Sequence, residues 1–272
     1  MPELPEVETI KRQLAQNLIG KRIEKIWIKR NSRIFRKLSH PRKIYKLKGK
    51  KIVKIKRRAK YLIFIFNNKQ ALVFHLGMTG GFKFEKKNKK PALHFHLEMC
   101  FSDCKLSFSD LRKFGKILLT NNSELNKIKE LSGLGPEPFS DEFNKSWLAE
   151  KFCGRKAPVK SLLLDQHICA GVGNIYADEA CYRAGILPTR PAGSLGKEEI
   201  SRLVRSIKKV LKDAIDFRGT TIRDYQTAFS KSGGYQPKVY GREGEPCLKC
   251  GEKIRRTKIS GRSSYFCPSC QR

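Results

Sequence analysis

Four cysteines near the end of the chain constrain the fold most. Cys247 and Cys250 form one C-x2-C pair, and Cys267 and Cys270 form a second after sixteen residues. Two such pairs set four thiolates tetrahedrally around Zn2+, in a closed site that leaves no ligand position open for chemistry. The metal is then structural. It folds a segment of fewer than thirty residues that has little core of its own. The residues between the pairs, Lys253 to Phe266, are basic and strand-like, which predicts a β-hairpin zinc ribbon with Arg262 facing an anion. A knob for protein contacts is the other reading. The remaining cysteines, Cys100, Cys104, Cys153, Cys169 and Cys181, show no framework spacing and read as reduced thiols.

Charge narrows the class of partner. Lys and Arg number 58 against 25 Asp and Glu, a formal +33. Such an excess points to a polyanion, nucleic acid before an anionic membrane surface. Residues 21–60 hold 19 of the cations and one acid, Glu24, which makes them one charged wall of a cleft or a solvated face. The run Lys86–Lys90 reads as a loop tip. No apolar run reaches membrane-spanning length and no secretory signal precedes Glu3, so a soluble, cytoplasmic protein without membrane contact is expected.

At 272 residues the chain is long enough for two domains. Leu4, Val7, Ile10 and Leu14 recur at helical steps. After them come short β-rich segments at 22–29, 51–57, 61–66, 71–75, 93–101, 105–109 and 115–119, with turns at Asn67-Asn68 and Ser102-Asp103. These predict an antiparallel sandwich or barrel with the first helix on its flank. Leu134-Gly-Pro-Glu-Pro138 reads as a linker. Beyond it, helices are expected over 141–152, with an acidic cap, and over 159–165, 174–184 and 197–217, the last capped by Gly196 with Glu199.

Several residues carry possible chemistry, each beside a plainer reading. If Met1 is removed, Pro2 presents a secondary amine that can add to an aldehyde-like carbon as an iminium, with Glu3 beside it as acid or base. The same residues also make an ordinary helix start. Lys60 is a catalytic amine or one more surface lysine. Gly171-Val-Gly173-Asn174 opens a helix whose N-terminus suits a phosphate, or is a tight turn. Met78, between glycines, and Phe114, beside Arg112, are wedges for a base pair opened by nucleotide extrusion, or core residues. His94 and His96 share one strand face and fit phosphate contact or packing better than a metal.

Taken jointly, the motifs resemble the formamidopyrimidine-DNA glycosylases of bacterial base-excision repair. The likeness runs through MPELPEVET, RRAKYL at 57–62, HLGMTG at 75–80, DLRKFG at 110–115, LGPEP at 134–138, LLLDQ with GVGNIYADE at 163–179, VYGR at 239–242 and the four cysteines. The resemblance implies an α+β protein. Residues 1–133 would form a catalytic antiparallel β-sandwich with its flanking helix. Residues 134–243 would form a helical helix-two-turn-helix domain, and 244–272 a β-hairpin zinc ribbon. It implies that Pro2 attacks C1′ of the damaged nucleotide, that Glu3 protonates the sugar, and that Lys60 contacts phosphate next to the lesion. Met78, Arg112 and Phe114 would fill the void. His94, Arg155, Lys160, Asn174 and Arg262 would hold phosphates, Arg262 also serving elimination. One structural Zn2+, no catalytic cofactor, a monomer, and duplex DNA with oxidised purines or abasic sites complete the expectation, the enzyme being nucleoid-associated while it acts. The sister endonuclease VIII type, directed at oxidised pyrimidines, starts Pro-Glu-Gly-Pro. Leu4 here favours the purine type. A zinc-ribbon DNA-binding protein without catalysis is the third reading, and the intact Pro2, Glu3 and Lys60 count against it. The segment Gly219–Tyr235 matches a lesion-capping loop and is short, while Thr79 stands at a lesion-contacting position that varies among relatives.

Overall fold

The computed structural model describes residues 1–29, 32–35, 40–87, 95–220, 228 and 232–272. His94, most of the 86–90 run and residues 221–227 and 229–231 of the expected lesion-capping loop lie outside these residues. The chain divides into two compact units, Met1–Ser132 with Phe217–Gly234, and Gly133–Asp216 with Tyr235–Arg272.

The first unit begins with α1, Leu4–Leu18, which buries Leu4, Val7, Ile10, Leu14 and Leu18 along one stripe. Eight strands follow: β1 Lys25–Ile28, β2 Ile52–Arg58, β3 Tyr61–Phe66, β4 Gln70–His75, β5 Gly80–Lys86, β6 Phe95–Cys100, β7 Cys104–Asp110 and β8 Lys116–Asn121. They make two antiparallel sheets, in the orders β1-β6-β7-β5 and β2-β3-β4-β8. Aromatic rings join the sheets. Phe74 of β4 lies 4.9 Å from Phe82 of β5 and 5.3 Å from Phe108 of β7, and Phe64 of β3 lies 5.8 Å from Phe82. Each such pair adds about 0.5–1.5 kcal/mol beyond burial. The expected sandwich is therefore present, and α1 packs against β2 and β3. A short α2, Lys129–Ser132, closes the run.

Strand β5 has no counterpart among the expected strands. Its sequence opens on two glycines and ends in lysines, which dilutes the alternation. Phe82 is nonetheless buried in the core, and the strand pairs along its length with β7. The two expected hairpin turns occur where predicted, between β3 and β4 and between β6 and β7.

The second unit holds α3 Lys145–Phe152, α4 Val159–Leu164, α5 Asn174–Ala184 and α6 Lys197–Asp216, then the hairpin strands β9 Arg255–Ile259 and β10 Arg262–Phe266. The cap of α3 is Asn144, not the acid Asp141. Its side chain accepts the Trp147 N–H at 3.0 Å, which needs a short acceptor one residue before the helix. Helix α6 starts as expected, with Glu199 accepting the Gly196 N–H at 2.9 Å. The segment 134–138 is packed instead of slack. Gly135 donates to the Gln166 carbonyl at 2.9 Å, and a Cβ on Gly135 would come within 2.2 Å of the His167 oxygen. Among the described residues no helix is long and apolar enough to cross a membrane.

Candidate active site

The first candidate group gathers at the start of α1. Pro2 is buried, and Glu3 is 2% exposed in the N-cap position. Glu6 fixes this start from two sides. One of its carboxylate oxygens accepts the Glu3 N–H at 2.8 Å, and the other accepts the Thr220 N–H at 2.8 Å. Gly219, at φ +86, lies so close that a Cβ would stand 2.7 Å from the Glu6 carboxylate. Glu8 then ties the helix to β2, accepting from Arg12 at 2.9 Å, Lys11 at 3.2 Å and Arg57 at 3.1 Å. Burial opposes ionisation of Glu8, but Arg12, Lys11 and Arg57 outweigh it and hold its carboxyl below the usual range.

Arg57 leads directly to Lys60. Its guanidinium also donates to the Ala59 carbonyl at 3.1 Å. Arg58 pairs with Tyr61, so Ala59 and Lys60 form the two-residue turn between β2 and β3. Ala59 sits at φ +50, a left-handed conformation that costs a residue with a Cβ about 1–2 kcal/mol. Lys60 is 6% exposed, so it is not one more surface lysine. One chain of contacts thus runs from the N-terminus through Glu8 and Arg57 to the turn that carries Lys60.

The second group is built by two abutting loops, 76–80 and 111–115. A Cβ on Gly77, whose φ is +66, would lie 2.6 Å from the Gly115 nitrogen, so only glycine lets the loops meet this closely. Asp110 ties them together. One of its oxygens accepts the Thr79 hydroxyl at 2.6 Å and the other the Gly115 N–H at 2.7 Å. Thr79 Oγ1 accepts the Arg112 N–H at 3.1 Å. On this frame Met78 is 43% and Phe114 48% exposed, which sets aside the core reading for both. The Arg112 guanidinium lies 4.9 Å from the Phe114 ring centroid. His75 steadies the loop base by accepting the Gly77 N–H at 3.2 Å. Burial, then Lys60 and Lys116, push the His75 imidazole down to about 4 against the pull of Asp110, so it is neutral at physiological pH. Asp110 and Thr79 were not identified as organisers from the sequence. The available signal was an acid and a threonine flanking the two glycine-containing loops. His96 is interior, bonded to Ser32 Oγ at 2.7 Å and to the Asp110 carbonyl at 2.9 Å, which is packing and not ligation.

The third group lies in the second unit and converges on β10. Lys160 is fully buried. Its ammonium reaches Asp178 at 2.8 Å and donates to the Ser263 carbonyl at 2.8 Å. Asn174, first residue of α5, donates to the same carbonyl at 3.1 Å and to Tyr240 Oη at 3.2 Å. Arg262 opens β10 directly after Ser260 and Gly261, at φ +48 and +74, and is exposed at the hairpin corner. Three candidate residues therefore share one hairpin. Lys160 holds it from inside, where no phosphate reaches the ammonium in this conformation; direct phosphate contact gives way to an internal ion pair. Arg155 is exposed on the loop after α3. Two acids of α5 escaped the sequence reading. Asp178 also accepts from Ser264 Oγ at 2.7 Å and the Tyr265 N–H at 3.0 Å. Glu179 accepts three consecutive N–H groups, Lys238, Val239 and Tyr240, at 2.8–3.0 Å. Adjacent acids inside a helix whose neighbours are Ala, Tyr and Cys were the available signal of buried pairing.

The four cysteines meet as expected. Their Sγ atoms all lie within 4.8 Å of one another, with Cys247 3.8 Å from Cys270 and Cys250 3.5 Å from Cys267. A tetrahedral zinc with Zn–S near 2.3 Å requires S···S separations of about 3.8 Å, so these thiolates fit one structural Zn2+. Tyr182, Val239 and Ile254 form the small apolar cluster around them.

Comparison with known proteins places the whole chain in one family. The sequence profile of the formamidopyrimidine-DNA glycosylase N-terminal domain matches residues 1–117, and that of the H2TH domain of the same enzymes matches 134–226. The zinc finger found in FPG and IleRS matches 244–272. A formamidopyrimidine-DNA glycosylase of Desulfitobacterium hafniense is 42% identical over 275 residues, covering 100% of both chains. A Lactococcus lactis FPG variant, solved with Fapy-dG-containing DNA, superposes with a TM-score of 0.93 at 36% identity, covering 100% of both chains. MutM in complex with carbocyclic 8-oxo-G-containing DNA gives 0.91 at 36% identity, again covering 100% of both. On its sequence, its architecture and its cysteine site, the chain belongs to the formamidopyrimidine-DNA glycosylase family.

Proposed function

We infer that the protein is a base-excision-repair glycosylase with AP-lyase activity, which removes oxidised purines such as formamidopyrimidines and 8-oxoguanine from duplex DNA. The observation that carries the reading is the held N-terminus. Pro2 and Glu3 are buried at the fixed start of α1, bonded through Glu6, whereas an ordinary terminus frays. A reacting amine gains rate from such fixed placement.

Once Met1 is removed, the Pro2 nitrogen attacks C1′ of the damaged nucleotide. The glycosidic bond breaks and the base leaves with its bonding pair, taking up a proton; the Pro2 nitrogen loses its proton, and Glu3 protonates the sugar ring oxygen as the C1′–O4′ bond opens. The resulting iminium acidifies the C2′ proton. Its loss expels the 3′-phosphate, and a second elimination expels the 5′-phosphate. Water then releases the sugar remnant from Pro2. Lys60 contacts the phosphate next to the lesion. Met78, Arg112 and Phe114 enter the space that the extruded nucleotide vacates, an exposed trio on a rigid double loop. Arg155, Asn174 and Arg262 hold phosphates, with Arg262 also serving elimination, and His94 belongs to the same set. In this reading residues 1–133 perform the chemistry, 134–243 grip the duplex, and 244–272 form the zinc-held hairpin that presents Arg262.

Borohydride trapping tests the reading, with a duplex carrying one 8-oxoguanine opposite cytosine, followed by peptide mapping. A reduced cross-link at Pro2 is expected. A cross-link only with thymine glycol moves the protein to the oxidised-pyrimidine type. None with either lesion, despite tight binding, leaves a DNA-binding protein without catalysis.

A further inference from the structure

The proposed chemistry uses one end of the sandwich, and the basic run does not stop there. Lys60 occupies the β2–β3 turn, while the opposite end of the same hairpin lies roughly 20 Å away, the span of a six-residue strand. At that far end Arg22 bridges to Lys51. Lys51 and Asn67 bond each other, the Asn67 N–H to the Lys51 carbonyl at 3.0 Å and the Lys51 N–H to Asn67 Oδ1 at 3.1 Å. The Lys50 carbonyl accepts the Ile23 N–H at 3.0 Å, and the Lys69 carbonyl accepts the Asn122 N–H at 2.7 Å. These bonds fix a backbone frame that carries Arg22, Lys48, Lys50, Lys51, Lys54 and Lys69. All but the half-buried Lys50 are exposed.

None of these six takes part in an ion pair among the described residues. Asp103 and Glu24, acids of the neighbouring segments, are engaged by Lys21 at 2.6 Å and Lys87 at 2.7 Å. Glu124, on the short helix after β8, adds one exposed acid. The concentration is not a uniform drift of composition. Residues 21–60 carry a net +18, where an even spread of +33 over the chain would leave about +5. Six cations on a rigid frame complement a polyanion with one charge per ~1.7 Å of axis, and their counterion release gives a salt slope of about −5.

We propose that this distal basic face of the sandwich is a second, sequence-independent site for duplex DNA, distinct from the catalytic end. It lets the protein capture a new duplex before it releases the old one. The proposal rests on the reading of the protein as a DNA enzyme, and the experiment separates the two. The full chain with its zinc is bound to a fluorescent undamaged duplex, and dissociation is followed as unlabelled duplex is raised. The wild type is expected to dissociate faster in proportion to competitor. A variant carrying Lys48→Gln, Lys50→Gln, Lys51→Gln and Lys69→Asn should lose that dependence at least tenfold. Asn suits position 69 because its φ is +64. Single-turnover excision by saturating enzyme should stay within twofold of wild type, which also reports that the variant is folded. A control set, Lys197→Gln, Arg205→Gln, Lys209→Gln and Lys212→Gln on α6, removes the same charge elsewhere and should keep the dependence.

The proposal is overturned if wild-type dissociation ignores competitor, if the distal variant retains the dependence, or if the control set loses it equally. It is also overturned if vesicles containing phosphatidylserine occupy the face in preference to duplex at the same salt. Loss of excision in the wild type would instead count against the proposed function alone.

Discussion

Lys160→Met separates an internal ion pair from a phosphate contact. The side chain is fully buried, with Asp178 at 2.8 Å and the Ser263 carbonyl at 2.8 Å. Burial pushes the Asp178 carboxyl up to about 6, and Lys160 pulls against that rise. Without Lys160 the acid loses its counter-charge in an interior site. Breaking a buried pair from one side costs about 3–5 kcal/mol. In a unit of about 120 residues that corresponds to roughly 12–20 °C in melting temperature. Trp147 belongs to the same unit, bonded to the Ile168 carbonyl at 3.0 Å, so its fluorescence reports the transition. Adding Asp178→Asn removes the stranded charge and leaves lost hydrogen bonds worth about 1 kcal/mol each, so the double variant should recover to within about 1–2 kcal/mol of wild type. DNA affinity decides the role. A direct phosphate contact would lower the slope of log affinity against log salt by about 0.9. The double variant should keep the wild-type slope. A well-folded double variant whose slope drops by that amount would refute the internal assignment.

Other outcomes follow from the same geometry. Gly77→Ala places a Cβ 2.6 Å from the Gly115 nitrogen at φ +66, so it should cost about 2–4 kcal/mol and reduce excision more than duplex binding, read by urea unfolding and single-turnover kinetics. His75 has a folded pKa of about 4 against 6.5, so its neutral form stabilises the fold above pH 6.5 and that stability is lost as pH falls toward 4. The loss at pH 5 should reach about 2 kcal/mol, absent in His75→Asn; equal pH dependence of the two proteins would count against it. Chelation of zinc should unfold the 244–272 hairpin and weaken DNA binding, since the four thiolates meet with little other core, and unchanged affinity of metal-free protein would remove that role.

What the sequence made legible follows from how local each signal is. Helix α1, the turns at 67–68 and 102–103, helix α5 and the cysteine hairpin rest on spacing within a few residues, and the structure has them. Strand β5 rests on a partner far along the chain. Its glycines and lysines hide it until Phe82 finds Phe74 and Phe64 across the sandwich. The cap of α3 failed for a local reason, because acids at 141 and 142 compete with Asn144 for the same role and only backbone geometry decides between them.

The site divides along the same line. Pro2, Glu3, Met78, Arg112 and Phe114, the proposed actors, stand in motifs that also contain their supports Glu6, Thr79 and Asp110, but which bonds those supports make is visible only in the fold. Lys160 shows where this fails. Its motif position pointed outward to phosphate, but a lysine's reach is set by what lies across from it, and here that is Asp178, eighteen residues on and buried on α5. A cation in a motif therefore identifies a charge the fold needs, and burial decides whether that charge faces DNA or holds the element that does. By that rule Arg262, exposed at the corner that Lys160 and Asn174 secure through the Ser263 carbonyl, is the residue of this group whose loss should act on DNA itself. Arg262→Ala should lower the salt slope by about 0.9 with no change in melting temperature, the reverse of what Lys160→Met does.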